Sequence, residues 1–302
     1  MSNRHKLGLA LGGGSARGWA HIGVLRALAQ AGIAPDYVAG CSMGAMVGAA
    51  FAAGRIEKLE TWALSLDWKR IVKLLDVGLR GGLIKGERLL DFFHGQFVEC
   101  QFSELAVPFA TVATDLASGR EIWLREGKVS DAVRASCTVP GLFAPVLRED
   151  RYLIDGSIVN PVPVSLCRAM GADVVIAVSL SSEVCGPHMR EFQGVPVPQD
   201  YRSRLIKMLL PRHRDRDTRA AAIDGEPSPQ PSMLETLLGA IDIMQVRIAR
   251  SRLAGEPPDV LLTPHLGPMG SYEYHRAAPA IEEGRDAVAR LLPTIGHALG
   301  IY

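Results

Sequence analysis

Strands alternate with helices along this chain. That order predicts an α/β fold of three layers, α/β/α, with a mainly parallel central sheet. Three observations carry the expectation. Leu7-Gly8-Leu9-Ala10-Leu11 and Asp173–Leu180 are apolar nearly throughout, as strands covered on both faces are. Segments with apolar residues three and four apart lie between such runs and suit helices. The first two strands each run straight into a glycine-rich turn that opens a helix.

Taken in order, the elements follow from their residues. Leu7–Leu11 is a buried strand. After a glycine loop, 16–31 is a helix: Ile22, Leu25 and Leu28 recur every three residues, Ala29 widens the stripe and Gly32 stops it. Tyr37-Val38-Ala39 is a second strand. Residues 45–53 form a helix of very small side chains, ended by Gly54, that can lie close against the sheet. Residues 55–100 suit helices with a break at Gly81-Gly82. The segments 107–115 and 121–124 are expected to pair as strands joined through Ala117-Ser118-Gly119. A short helix over 129–136 ends near Pro140, and a strand over 152–154 runs into Asp155-Gly156. The strand 173–180 is the clearest of all. From 186 to 232, prolines and arginines accumulate, which predicts a long and partly disordered excursion. Leu237, Leu238, Ile241, Met244 and Ile248 make a helical stripe over 234–253. A strand at 260–262 and a helix over 279–292 complete a single domain spanning 1–302.

Composition narrows the function. The chain has 302 residues and is 48% hydrophobic, enough for a core without a disulfide or metal staple. A net charge of +1 provides no attraction for nucleic acid. Five cysteines (41, 100, 137, 167 and 185) form no C-x-x-C pair, which suits a reduced, cytoplasmic compartment. Met1–Lys6 is polar and lacks the apolar core of a signal peptide. No apolar run approaches the roughly 18 residues of a membrane span. The expectation is a soluble protein whose contact with membranes is peripheral.

Two glycine-bracketed turns carry the chemistry. Gly12-Gly13-Gly14-Ser15-Ala16-Arg17-Gly18 misses the dinucleotide fingerprint G-x-G-x-x-G by one residue, and no Gly-Lys-Ser/Thr follows to make a P-loop. What remains is a row of N–H donors before a helix, suited to an oxyanion or phosphate. Gly40-Cys41-Ser42-Met43-Gly44 follows a strand and opens a helix, the context that holds a serine hydroxyl clear of the backbone. The same pattern also suits a serine N-cap between two packing glycines. A nucleophilic serine needs a base. None of His5, His21, His94, His188, His213, His265, His275 and His297 stands at a strand end, and His21 suits packing within a helix. Asp155, at the end of a strand, is the better candidate, although Asp-Gly is also a common turn. With an ordinary pKa of about 3.9, it needs a water-poor site.

Together these residues resemble the patatin-like phospholipase family, in particular its short bacterial members. The glycine loop is similar to the family's oxyanion loop, and Gly40–Gly44 to its nucleophile elbow. Ala135-Ser136-Cys137-Thr138-Val139-Pro140-Gly141-Leu142-Phe143-Ala144-Pro145 resembles its A-S-x-x-x-P-x-x-F-x-P segment, and Asp155-Gly156 the start of its D-G-G/A motif. The similarity spans about residues 6–182 and, weakly, the C-terminal helices; 186–232 is not covered. The resemblance implies a fold related to the malonyl-transferase and lysophospholipase fold, and a Ser-Asp dyad hydrolase with no histidine, metal or cofactor. Ser42 would attack an acyl ester carbonyl and Asp155 would take its proton. Backbone N–H groups of Gly12, Gly13 and Gly14, with Met43, would hold the oxyanion. Gly40, Gly44 and Gly156 would support the turns, and Arg17 would anchor the loop or meet a lipid phosphate. The implied substrate is a phospholipid, lysophospholipid or other fatty-acyl ester. Ser157 departs from the family's Gly or Ala and sets a hydroxyl beside the base.

Two other readings stand beside the hydrolase. The fold could serve as an interaction protein that binds a regulatory partner or a membrane surface. A thioesterase or acyltransferase of the malonyl-transferase type is disfavoured by the missing histidine base. In 201–219, Arg202, Arg204, Lys207, Arg212, Arg214, Arg216 and Arg219 surround Leu205, Ile206, Met208, Leu209 and Leu210. Such a segment could rest on an anionic membrane or be a solvated loop, since Pro211 interrupts any long helix.

Overall fold

β1 (Leu7–Leu11) lies inside the sheet with parallel neighbours on both edges. The computed structural model describes residues 5–67, 70, 92–93, 95–180 and 233–301. The break at Gly81-Gly82, the excursion at 186–232 with its basic stretch 201–219, and His94, His188, His213 and Cys185 lie outside the described residues. β1 pairs with β2 (Tyr37–Cys41) along one edge and with β7 (Val174–Val178) along the other. β3 (Phe109–Asp115) extends the parallel array beyond β2, and β8 (Val260–Leu262) beyond β7. Three antiparallel strands complete the 8-stranded sheet: β4 (Glu121–Leu124) and β6 (Arg151–Asp155) on β3, and β5 (Val146–Arg148) on β6.

Both faces are covered, as the apolar runs require. Leu7, Leu9 and Leu11 point into a core shared with α1 (Ala20–Gln30), α2 (Met43–Ala52), α3 (Ile56–Leu64) and α7 (Ala277–Ala298). Ala10 and Ala39 point the other way, toward α5 (Val164–Ala169) and Ala249 of α6 (Met233–Gly255). A smaller cluster joins Ala113, Leu124 and Leu153 to α4 (Val129–Ser136). The expected mainly parallel three-layer fold is the one observed.

Differences from the sequence reading are local. The helix expected from residue 16 starts as a 3-10 turn, Ser15–Trp19, and becomes α1 at Ala20. The last helix is longer than expected and carries Pro293 within it. β5 was not expected at all. It joins β6 through Glu149 and Asp150, both at positive φ (49° and 61°), with Arg148 opposite Arg151. Two-residue hairpin loops of that shape favour Asn-Gly or Asp-Gly, so Glu-Asp carries no hairpin signal.

α1 and α7 approach until their backbones touch. A Cβ on Gly23 would collide with the Ile281 carbonyl, and one on Gly284 with the Ala20 carbonyl. The two effects of adding a methyl there oppose each other. Alanine is the better helix former by about 1 kcal/mol, whereas overpacking costs about 1–3 kcal/mol and requires the helices to part. Packing wins where the obstacle is backbone. Gly23→Ala and Gly284→Ala should each lower the urea midpoint; a rise in either would show that the helices separate freely.

Candidate active site

β3 has two edges, and three strands share them. β4 takes residues 111–114 along one edge. β2, opposite 109–112, and β6, opposite 113–115, therefore occupy the other, running toward each other. Cys41 faces Val112 and Asp155 faces Ala113, so the two strands end head to head. Ser42 is the next residue after Cys41. Its Oγ donates to Asp155 Oδ2 at 2.7 Å.

Ser42 sits at φ 53°, ψ −122°, a conformation that costs a non-glycine residue about 1–3 kcal/mol. Neighbouring contacts enforce it. The Ser42 N–H donates to Ser136 Oγ at 2.9 Å, and the Cys137 thiol donates to the Ser42 carbonyl at 3.1 Å. Ala45 N–H donates to that carbonyl at 2.8 Å and opens α2. The flanking glycines answer to space. A Cβ on Gly44 would strike the Leu11 carbonyl, and one on Gly40 would stand 2.6 Å from Ala45 Cα. The serine side chain makes no N-cap bond, so the capping alternative does not describe this residue.

Asp155 is fully buried. Its N–H donates to the Thr138 carbonyl, and its own carbonyl accepts from Thr114 Oγ1, each at 2.8 Å. Oδ1 accepts the Ser157 N–H at 2.8 Å. Gly156 passes so close to β3 that a Cβ would strike the Val112 carbonyl. Burial pushes the Asp155 carboxyl pKa up, and hydrogen bonds from Ser42 and Ser157 oppose the rise. A raised pKa makes a carboxylate a stronger base.

The glycine loop presses on the serine. A Cβ on Gly13 would lie 3.4 Å from Ser42 Cβ. Two of the four N–H groups expected to face an anion are already committed. Gly12 N–H donates to the Val178 carbonyl at 3.0 Å and Gly13 N–H to the Pro161 carbonyl at 2.9 Å, which corrects the expectation for both. The end of β7 and the loop at Pro161 take these donors, because an unpaired buried N–H is costly. Among the described residues, the N–H groups of Gly14, Ser15 and Met43 donate to nothing. Ser15, at φ 49°, was not singled out from the sequence. A small recess, open to solvent, lies against Gly13, Gly14 and Ser15; α6 borders it with Asp242, Gln245 and Val246.

A segment near the C-terminus holds the loop. Arg17 is buried, and its Nε donates to the Met269 carbonyl at 2.9 Å, which makes it an anchor. Ala16 N–H donates to the Ser271 carbonyl and Trp19 Nε1 to the Tyr274 carbonyl. The Tyr274 side chain hydrogen-bonds Ser15, and burial pushes its hydroxyl up to about 12. Gly267-Pro268-Met269-Gly270-Ser271 has no periodicity, so the sequence carried no sign of this role. His21 also serves the loop. Its Nε2 donates to the Gly12 carbonyl at 2.7 Å, while Nδ1 is buried and has no partner among the described residues. Burial lowers its pKa to about 4. The other described histidines, His5, His265, His275 and His297, are exposed. Among the described residues, no group of three or more His, Cys, Asp or Glu is placed to hold a metal ion, and no helix is long and apolar enough to cross a membrane.

The chain is similar to known proteins along most of its length. A family model described as patatin-like phospholipase matches residues 9–168, which include both glycine turns and Asp155. An uncharacterized NTE family protein of Mycobacterium tuberculosis is 32% identical over 334 residues, covering 96% of this chain and 92% of that protein. The human patatin-like phospholipase domain-containing protein 6 is 33% identical over 185 residues, which is 59% of this chain and 13% of that protein. A crystal structure of VipD from Legionella pneumophila aligns with a TM-score of 0.48 and 16% identity, over 96% of this chain and 67% of that one.

The buried His21 makes stability depend on pH. Its folded pKa of about 4 lies below the ordinary 6.5. Between those values the unfolded chain binds a proton that the folded chain refuses, so stability falls as pH drops through this window. At about 1.4 kcal/mol per pKa unit, wild type should lose about 3 kcal/mol more than His21→Gln between pH 7 and pH 4. The raised carboxyl pKa of Asp155 acts in the opposite sense but is common to both proteins, so the difference isolates His21. Urea unfolding at a series of pH values measures it, and parallel curves would refute the assignment.

Proposed function

Since the chain belongs to the patatin-like phospholipase family, we propose that it hydrolyses fatty-acyl esters with Ser42 as nucleophile and Asp155 as general base. The family is one of lipid acyl hydrolases, and a phospholipase A or lysophospholipase type of carboxylic ester hydrolase is the reading we favour within it. One observation carries the proposal: a buried carboxylate lies 2.7 Å from the hydroxyl of a strained serine at a helix N-terminus.

The chemistry follows from the groups present. Ser42 Oγ attacks the ester carbonyl while Asp155 Oδ2 takes the hydroxyl proton. Negative charge then develops on the former carbonyl oxygen. The N–H groups of Gly14, Ser15 and Met43, which donate to nothing among the described residues, are the donors left to receive it. The positive end of α2 favours the same charge. Collapse expels the alcohol, which takes the proton back from Asp155. Water attacks the acyl-serine, Asp155 takes a proton from it, and release of the fatty acid restores Ser42. Burial keeps competing water away from a carboxylate that bulk solvent would make a feeble base. Arg17, anchored at Met269, supports the loop. A cytoplasmic protein with peripheral contact to membrane lipid fits this substrate class.

Turnover of p-nitrophenyl esters of graded chain length, measured for wild type, Ser42→Ala and Asp155→Asn, tests the reading. Both substitutions should lower kcat/KM by about a thousandfold or more, as removal of one member of a catalytic unit does. A fluorophosphonate probe should label wild type and leave Ser42→Ala unlabelled. Activity that survives both substitutions would place the chemistry elsewhere.

A further inference from the structure

We propose that a cavity beside the β5–β6 hairpin is an anion site that takes the phosphate group of a phosphate ester. It is separate from the dyad and does not depend on it. The cavity has a volume of about 220 Å³ and lies between the end of β4, with the turn after it, and the hairpin. Its lining includes no residue of either glycine turn and not Asp155. The hydrolase reading leaves it without a use.

Three guanidinium groups meet there. Arg125 comes from the turn after β4, Arg148 from the end of β5 and Arg151 from the start of β6. Arg148 and Arg151 stand directly opposite each other across the hairpin, so both side chains leave the same face of the sheet. Like charges in that relation repel and cost stability. Neighbouring carboxylates do not cancel them. Glu126 and Glu149 also border the cavity. Glu126 meets Arg148 through its backbone carbonyl, which accepts from Nη2 at 3.0 Å. The Glu149 side chain is 83% exposed, and its carboxylate stays 3.7 Å from Arg148 Nε. Arg151 acts on the Asp115 carboxylate only at a distance, and that carboxylate is held by the Ala117 N–H and the Ser118 hydroxyl.

Donors are left over. The side chains of Arg125 and Arg151 make no hydrogen bond or ion pair among the described residues. Arg148 Nη1 is buried and has no partner among them. A buried charged donor without an acceptor is costly, and an anion in the cavity supplies acceptors to all three. A planar guanidinium pairs two N–H groups with two oxygens of a carboxylate or phosphate. Three guanidiniums arriving from three backbone positions suit phosphate, whose oxygens point in several directions, better than the two oxygens of a flat carboxylate. Leu124 and Leu153, both buried, supply an apolar part of the lining, which suits the carbon portion of an ester. Such a phosphate arrives on a small soluble ester or on a lipid headgroup.

Two measurements test the site and separate those sources: calorimetric titration with glycerol 3-phosphate at low ionic strength, and flotation with phosphatidylcholine vesicles that carry phosphatidic acid. Wild type should bind at least one of them saturably. Arg125→Gln and Arg151→Gln should each weaken that binding about tenfold or more. Neither side chain holds another group in place, so both variants should fold; Arg148→Gln also gives up the bond to Glu126 and serves as a third variant. Ser42→Ala should bind as wild type does. Binding of glycerol 3-phosphate assigns the site to soluble esters, and binding of vesicles alone assigns it to a headgroup. Failure to bind either overturns the proposal. Binding that survives Arg125→Gln and Arg151→Gln, or that is lost in Ser42→Ala, overturns it too, because the anion would then sit at the glycine turn.

Discussion

One edge of β3 is divided between two strands that run in opposite directions, and the geometry of the site follows from where they stop. β2 ends at Cys41 and β6 at Asp155, opposite consecutive residues of β3. Neither chain can continue along the edge, because the other occupies it. Each must leave at the junction, β2 into the turn at Ser42 and β6 into the turn at Gly156. Hydroxyl and carboxylate are thus brought together by backbone pairing, before any side-chain preference acts. That arrangement is stiff, because moving either group means breaking ladder bonds to β3.

Crowding at the junction accounts for residue identities that function alone would not dictate. Leu11, the last residue of β1, and Gly12 after it set their carbonyls against the first turn of α2, which leaves no room for a side chain at Gly44. α2 itself is almost all small residues and almost wholly buried, so its N-terminus can stand this near the sheet. The strain at Ser42 persists because its N–H and carbonyl are both claimed from outside the turn, by Ser136 and Cys137. Local distortion of this kind survives only where surroundings over-determine it. Here they come from the end of a different helix, α4.

Most of this was legible in the sequence, for a physical reason. Strands covered on both faces must be apolar along their whole length, and glycines at a close approach cannot be replaced, so β1, β7 and the two turns announce themselves. Asp155 could be singled out because the C-terminal end of a strand is where an α/β sheet collects catalytic groups. Other features left no mark. The β5–β6 hairpin uses Glu149-Asp150, whose positive φ angles neither residue advertises. That Gly12 and Gly13 spend their N–H groups on Val178 and Pro161 depends on strand register and on a distant loop. The anchoring of the glycine turn by Met269, Ser271 and Tyr274 uses mainly backbone carbonyls, and a carbonyl has no sequence signature.

That anchoring ties together parts of the chain made at very different times. Every motif that points to the chemistry lies between Gly12 and Gly156, yet Arg17 bonds to Met269, 252 residues later in the chain. Contacts of such separation form late, because a long loop must close first. During synthesis, a nascent chain that has already displayed its serine and its aspartate lacks the groups that hold the loop between them. A chain made in that order completes the support of its glycine turn only once the segment around Met269 has been synthesised and has docked.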